Sequence, residues 1–107
     1  KVIKMSKSNY VSLYGTLIKD AVIKTDDKGN EYALFTLSVP QDGTKWCDYI
    51  NCIAFGDTAV IVKDNPDQNT PFHVEGRIHT GSYQKNGRKY YTTDIVTEKI
   101  ELVNEDE

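Results

Sequence analysis

Gly81-Ser82-Tyr83-Gln84-Lys85-Asn86-Gly87-Arg88-Lys89-Tyr90-Tyr91-Thr92-Thr93-Asp94 is the stretch from which the fold is read. Asn86-Gly87 lies between two β-prone runs, and both central residues of a type I′ turn need positive φ, which Asn and Gly tolerate best. With those two residues as the loop, the register follows: Lys85 faces Arg88, Gln84 faces Lys89 and Tyr83 faces Tyr90. Like charges directly opposite each other destabilise a hairpin, and Lys89 adds a third cation nearby. A tip that keeps them is expected to meet an anion, with the Tyr83/Tyr90 pair just below on the same face. Cations supply phosphate contacts and rings supply a flat surface for bases, so a projecting arm of this make-up suits a nucleic-acid strand. The competing reading is a solvated turn whose Lys and Arg guard a sheet edge.

Outward from the arm, strict alternation marks the other strands. In residues 10–18, Val11, Leu13 and Leu17 take one face while Tyr10, Ser12, Tyr14 and Thr16 take the other. Residues 19–27 read as polar and turn-like, closed by Asp26-Asp27-Lys28-Gly29-Asn30. A second strand over 31–39 carries Ala33, Phe35, Leu37 and Val39 on one parity, and Pro40 ends it because it cannot donate to a ladder. The third, over 46–55, turns Ile50, Cys52 and Ala54 inward and Tyr49, Asn51, Ile53 and Phe55 outward. Gly56-Asp57-Thr58 offers an N-cap for a short helix over 59–63. After a loop over 64–71, the fourth strand, 72–80, places Phe72, Val74 and Ile78 opposite His73, Glu75, Arg77 and His79, with a bulge or bend expected at Gly76. The fifth runs from the arm through Val96, and residues 100–103 form a short last piece. The fold expected is all-β: a five-stranded barrel of the oligonucleotide/oligosaccharide-binding (OB) kind, with one short helix between strands three and four and a projecting arm between strands four and five.

The 107 residues suffice for one domain with a core that needs no disulfide. Formal charge is −3, from 13 Lys and Arg against 16 Asp and Glu, so no global field draws the protein onto a polyanion. The acids concentrate at the end: without residues 98–107 the balance is twelve to eleven in favour of cations. A nucleic-acid site would therefore be a local basic groove. No run is long enough to span a membrane and no signal-peptide core is present. Met5-Ser6-Lys7-Ser8 reads like a natural start, so residues 1–8 are expected to be an N-terminal extension, with a foreign origin open for residues 1–4. Cys47 and Cys52, five apart in one strand, fall on opposite faces and cannot bridge within it, which suits the cytoplasm.

In order and spacing, Asn9-Tyr-Val-Ser-Leu-Tyr-Gly-Thr-Leu17, Ala33-Leu-Phe-Thr-Leu-Ser-Val39, Cys52-Ile-Ala-Phe-Gly-Asp-Thr-Ala59, Val74-Glu-Gly-Arg-Ile78 and Tyr91-Thr-Thr-Asp-Ile-Val96 resemble the bacterial and phage single-stranded DNA-binding proteins. The resemblance covers residues 9–103. It implies an OB-fold that binds single-stranded DNA with little sequence preference, as a homotetramer or homodimer, serving DNA replication, recombination and repair. Position by position, it implies base stacking at Tyr49 and Tyr83, where the family often has Trp, and at Phe55 of the Phe-Gly motif, with Trp46 near a further stacking region. Lys85, Arg88 and Lys89 fall on its basic arm, and the stripe of Tyr10, Ser12 and Tyr14 on a subunit interface. The family typically continues into a Gly/Pro/Gln-rich tail with an acidic, aromatic-ended tip that recruits replication or recombination proteins. Here Asn104-Glu105-Asp106-Glu107 is acidic but has neither spacer nor aromatic, so recruitment by that route is not carried by these residues.

The mechanism expected is stacking on Tyr49, Phe55, Tyr83 and Tyr90, with phosphates on Arg77, Lys85, Arg88 and Lys89. Burial of Phe55 under the helix and plain cross-strand packing of Tyr49 and Tyr83 are the alternatives. Catalysis is not expected: no G-x-S-x-G, phosphate-cradling Gly loop, H-E-x-x-H or evident carboxylate pair appears. Cys47, Cys52, His73 and His79 lack ligand geometry, so neither metal nor cofactor is expected. A primosomal-type OB module that docks a protein and binds nucleic acid only weakly is the rival from another class.

Overall fold

The computed structural model describes residues 8–104; the expected extension up to residue 7 and the acidic end at 105–107 lie outside the described residues. Six strands and one helix follow in the order β1 (Val11–Leu17), β2 (Val22–Thr25), β3 (Glu31–Pro40), β4 (Cys47–Phe55), α1 (Gly56–Asp64), β5 (Pro71–Lys85) and β6 (Arg88–Leu102). The sheet order β1-β5-β6-β4-β3-β2 closes through a further pairing of β1 with β3 at Thr16–Ser38 and Leu17–Leu37. One parallel contact, Cys52–Ile95 to Ala54–Thr97, joins β4 to β6. This is the expected OB-type closed sheet, with the helix between the strands expected third and fourth. No helix among the described residues is long and apolar enough to cross a membrane.

Period-2 alternation becomes burial. Ala33, Phe35 and Leu37 of β3 meet Cys52 and Ala54 of β4, Leu17 of β1, Phe72 and Val74 of β5, and Ile95 and Ile100 of β6, all buried. Ala59 and Val62 of α1 plug the same core. Water leaving this apolar surface is the main force holding the barrel closed.

Several boundaries differ from the sequence reading. Residues 22–25, expected as turn, form β2, whose four positions pair with β3 from Val22–Leu34 to Thr25–Glu31. Its single inward apolar residue, Ile23, gives too little alternation to announce a strand. The helix starts three residues early, at Gly56, with Phe55 in the N-cap position and no side-chain cap. Thr58 turns back instead and donates its hydroxyl to the Phe55 carbonyl at 2.7 Å. The last two strand pieces are one 15-residue strand. Opposite Gly76 the register jumps from Glu75–Lys99 to Gly76–Thr97, leaving Glu98 as the extra residue of a bulge. The bulge flips parity, so Ile95 and Thr97 before it and Ile100 after it all face inward. Gly76 is needed there, because a Cβ would lie 2.0 Å from the Val96 carbonyl oxygen. Ile78, expected inward, is exposed, because β5 has by then left the barrel for the arm.

Candidate nucleic-acid interface

The arm has the register that its turn dictates. Asn86 and Gly87 take φ of 53° and 77°, and Tyr83–Tyr90, Gln84–Lys89 and Lys85–Arg88 are the paired positions. On one face, Lys85 and Arg88 sit at the tip, and below them the rings of Tyr83 and Tyr90 stack with centroids 5.3 Å apart at 19°. Both rings remain exposed. Lys89 is on the reverse face, its Nζ 5.6 Å from the centroid of Tyr91, and so is separated from the other two cations. Tyr91, at 76 % the most exposed of the large hydrophobic side chains, is a ring that the sequence reading did not single out. Its only signal was its parity, opposite to that of Tyr90.

Down the arm, the Tyr83 face continues onto the outer wall of the barrel. His79 pairs with Asp94 and Arg77 with Val96; the parallel β4–β6 contact then sets Val96 beside Ile53, and Asp94, just before that contact, lines one groove with Asn51. Antiparallel pairing carries these rows on to Leu34 and Thr36 of β3. Two rows therefore cross four strands on one side: apolar Leu34, Ile53 and Val96 ending at Arg77, and polar Thr36, Asn51 and Asp94 ending at His79. Above the polar row lies Tyr49, opposite Ser38; below the apolar row lies Phe55, opposite Tyr32. Tyr49 (66 %) and Phe55 (53 %) are exposed, so Phe55 is not buried under the helix. They are six steps apart along the strand, roughly 20 Å. Arg77 is exposed on the same face.

Two concavities flank β3 on this wall. One, of about 370 Å³, is lined by Lys19, Lys24, Leu34, Thr36, Asn51 and Asp94 among others. The second, about 590 Å³, holds Phe55 and Tyr32, with ring centroids 6.0 Å apart, among Asp26, Glu31 and Asp57. Phe55 thus sits in acidic surroundings and the neighbouring groove in basic ones. Trp46 precedes β4 in a loop, exposed, with Lys45 Nζ 6.0 Å from its ring, so no strand register ties it to the other rings.

Tyr10, just before β1, and Ser12 and Tyr14 of β1 lie together against His73 and Glu75, on the outward face of β5 that also carries Arg77. Tyr14 stacks on His73 at 4.1 Å, Ser12 Oγ is 2.8 Å from His73 Nε2, and the Tyr10 hydroxyl donates to Glu75. That hydrogen bond to the Glu75 carboxylate holds the Tyr10 phenol above its ordinary value of 10.0. Lys99 reaches Glu101 at 3.3 Å and Glu75 at 3.9 Å.

Comparison with known proteins places this geometry. The pattern described as the single-strand binding protein family matches residues 8–103. A single-stranded DNA-binding protein of Clostridium perfringens is 36 % identical over 99 residues, covering 90 % of this chain and 66 % of its own. A single-stranded DNA-binding protein of Enterococcus faecalis is 33 % identical over 101 residues, covering 89 % and 54 %. Single-stranded DNA-binding protein 2 of Listeria monocytogenes is 31 % identical over 101 residues, covering 89 % and 63 %. The chain spans between about half and two thirds of the length of these curated relatives. With a matching pattern over nearly all its residues and an OB-type barrel beneath it, the chain belongs to the single-strand binding protein family.

Proposed function

We propose that the chain binds single-stranded DNA without sequence preference, as a binding module for replication, recombination and repair. Bases stack on Tyr83/Tyr90, Tyr49 and Phe55, and phosphates meet Lys85, Arg88 and Arg77. The observation that carries the reading is the exposed Tyr83–Tyr90 stack directly beneath the Lys85/Arg88 tip, on the face that continues onto the outer wall. Any base offers a π-face, so rings tolerate every sequence. A duplex hides those faces, so such a surface favours single strands. Lys89, on the reverse face, and Trp46, in the loop before β4, serve as flanking contacts. Tyr10, Ser12 and Tyr14 are proposed to meet a second copy of the chain, in a homodimer or homotetramer.

Titration with oligo(dT) tests the reading through Trp46 and Tyr fluorescence. Quenching that is tight at low salt, with an equal-length duplex competing poorly, is expected. Equal affinity for duplex, or oligo(dT) affinity untouched by Tyr83→Ala, would overturn it in favour of a protein-docking barrel.

A further inference from the structure

The 370 Å³ groove contains a feature that phosphate binding does not explain. Its walls carry Lys19 and Lys24, yet the Asp94 carboxylate lines it too, just before the seam where β4 meets β6. Asp94 is half-buried, and no hydrogen bond or ion pair engages it among the described residues. Beside it, Asn51 commits its amide oxygen to the Thr36 hydroxyl at 2.9 Å and keeps both N–H groups for other acceptors. A carboxylate in a groove meant only for a polyanion is a repulsive element. A groove meant for bases turned inward is a different matter.

The Watson–Crick edge of every base carries at least one N–H: N6 of adenine, N4 of cytosine, N1 and N2 of guanine, N3 of thymine. A carboxylate accepts from any of them, and the adjacent Asn51 amide can donate to a neighbouring ring nitrogen or carbonyl. In a duplex those donors are already paired. An acid at this place therefore rewards unpaired bases of any kind and turns phosphate outward, towards Lys19, Lys24 and Arg77. We propose that Asp94 is a specificity-determining residue: it accepts the Watson–Crick-edge N–H of whichever unpaired base lies over the β4–β6 seam, and so discriminates single strands from duplex without reading sequence. This rests on the proposed binding of single-stranded DNA and adds to stacking an edge contact that stacking does not supply.

The test compares oligo(dT) with an oligomer of equal length built from N3-methylthymidine, which keeps the ring and loses the donor. The full chain and its Asp94→Ala and Asp94→Asn variants are used, with folding checked by circular dichroism. For the unsubstituted protein, methylation is expected to weaken binding about tenfold, the scale of one hydrogen bond to a charged group. In Asp94→Ala the two oligomers should bind within about twofold of each other, as a double-mutant cycle requires, and duplex affinity should rise. Asp94→Asn removes the charge at constant volume but keeps an amide oxygen that still accepts. It should raise duplex affinity and shrink the methylation penalty to that of a neutral hydrogen bond, and that reduction decides the matter if the Ala variant does not fold. Tight binding of oligo(dT) with no response to methylation overturns the role of Asp94 and leaves the parent reading standing. A methylation penalty that persists undiminished in the variants overturns it as well, since it would then come from a steric clash elsewhere. If the unsubstituted protein binds neither oligomer, the parent reading fails and the role of Asp94 falls with it.

Discussion

Tyr83 gains its position from Tyr90: each ring covers one face of the other and leaves its second face open. Tyr83→Ala is expected to weaken oligo(dT) binding by about 1–3 kcal/mol, read by fluorescence titration, while Tyr83→Phe keeps most of it. The two cysteines make a second residue-scale case. Burial, with the Asp94 charge adding to it, pushes the Cys52 thiol up to about 12, whereas Cys47 is partly exposed and also free. A thiol reagent at neutral pH should label one cysteine in the native protein and both after unfolding; labelling of Cys52 at the rate of Cys47 would contradict the packing. Opposite faces for the pair followed from their five-residue spacing alone. That Cys52 also feels Asp94 did not, because the two are 42 positions apart and meet only through the β4–β6 contact.

Elements are fixed by a few backbone requirements. Gly76→Ala places a methyl group against the Val96 carbonyl, and backbone cannot give way as a flexible side chain does. Loss at or above the upper end of the roughly 1–3 kcal/mol overpacking range is expected in urea unfolding. In the β2–β3 turn, Asp26 Oδ1 accepts the backbone N–H groups of Lys28 and Asn30, both at 2.9 Å. The bond from Asn30 is the main reason its carboxyl sits below the ordinary 3.8. Because the folded value is depressed, the turn's contribution is complete above pH 3.8 and fades only as pH falls through the lower folded value. Amide shifts of Lys28 and Asn30 followed through an acid titration should move together in that window, and Asp26→Asn should abolish the movement. The arm's register was readable because Asn86-Gly87 allows one turn type. The unbroken β6 was not, since the extra residue Glu98 flips parity and makes one strand look like two.

For the whole molecule, the charge distribution counts for more than the net value of −3. Lys85 and Arg88 share the face of the Tyr83–Tyr90 stack, and Lys89 is turned away from it. Removing Lys85 or Arg88 should flatten the dependence of log K on log salt by about 0.7 each, the value for one phosphate on a single strand. Lys89→Ala should change the slope less, and equal effects from all three would mean that the strand wraps both faces of the arm. What the sequence by itself determined was local. A two-residue turn set the hairpin's pairing, and alternation set the inward side chains of the strands apart from Ile78 on the arm and β6 beyond its bulge, because both depend on neighbours a few bonds away. The tertiary structure alone decided which strands became neighbours. The antiparallel pairs of β3 with β4 and of β5 with β6, joined by the parallel seam of β4 and β6, bring Thr36, Asn51, Asp94 and His79 onto one wall. Those pairings come from burying a shared apolar core, a force without direction along the chain, so no local pattern announces them.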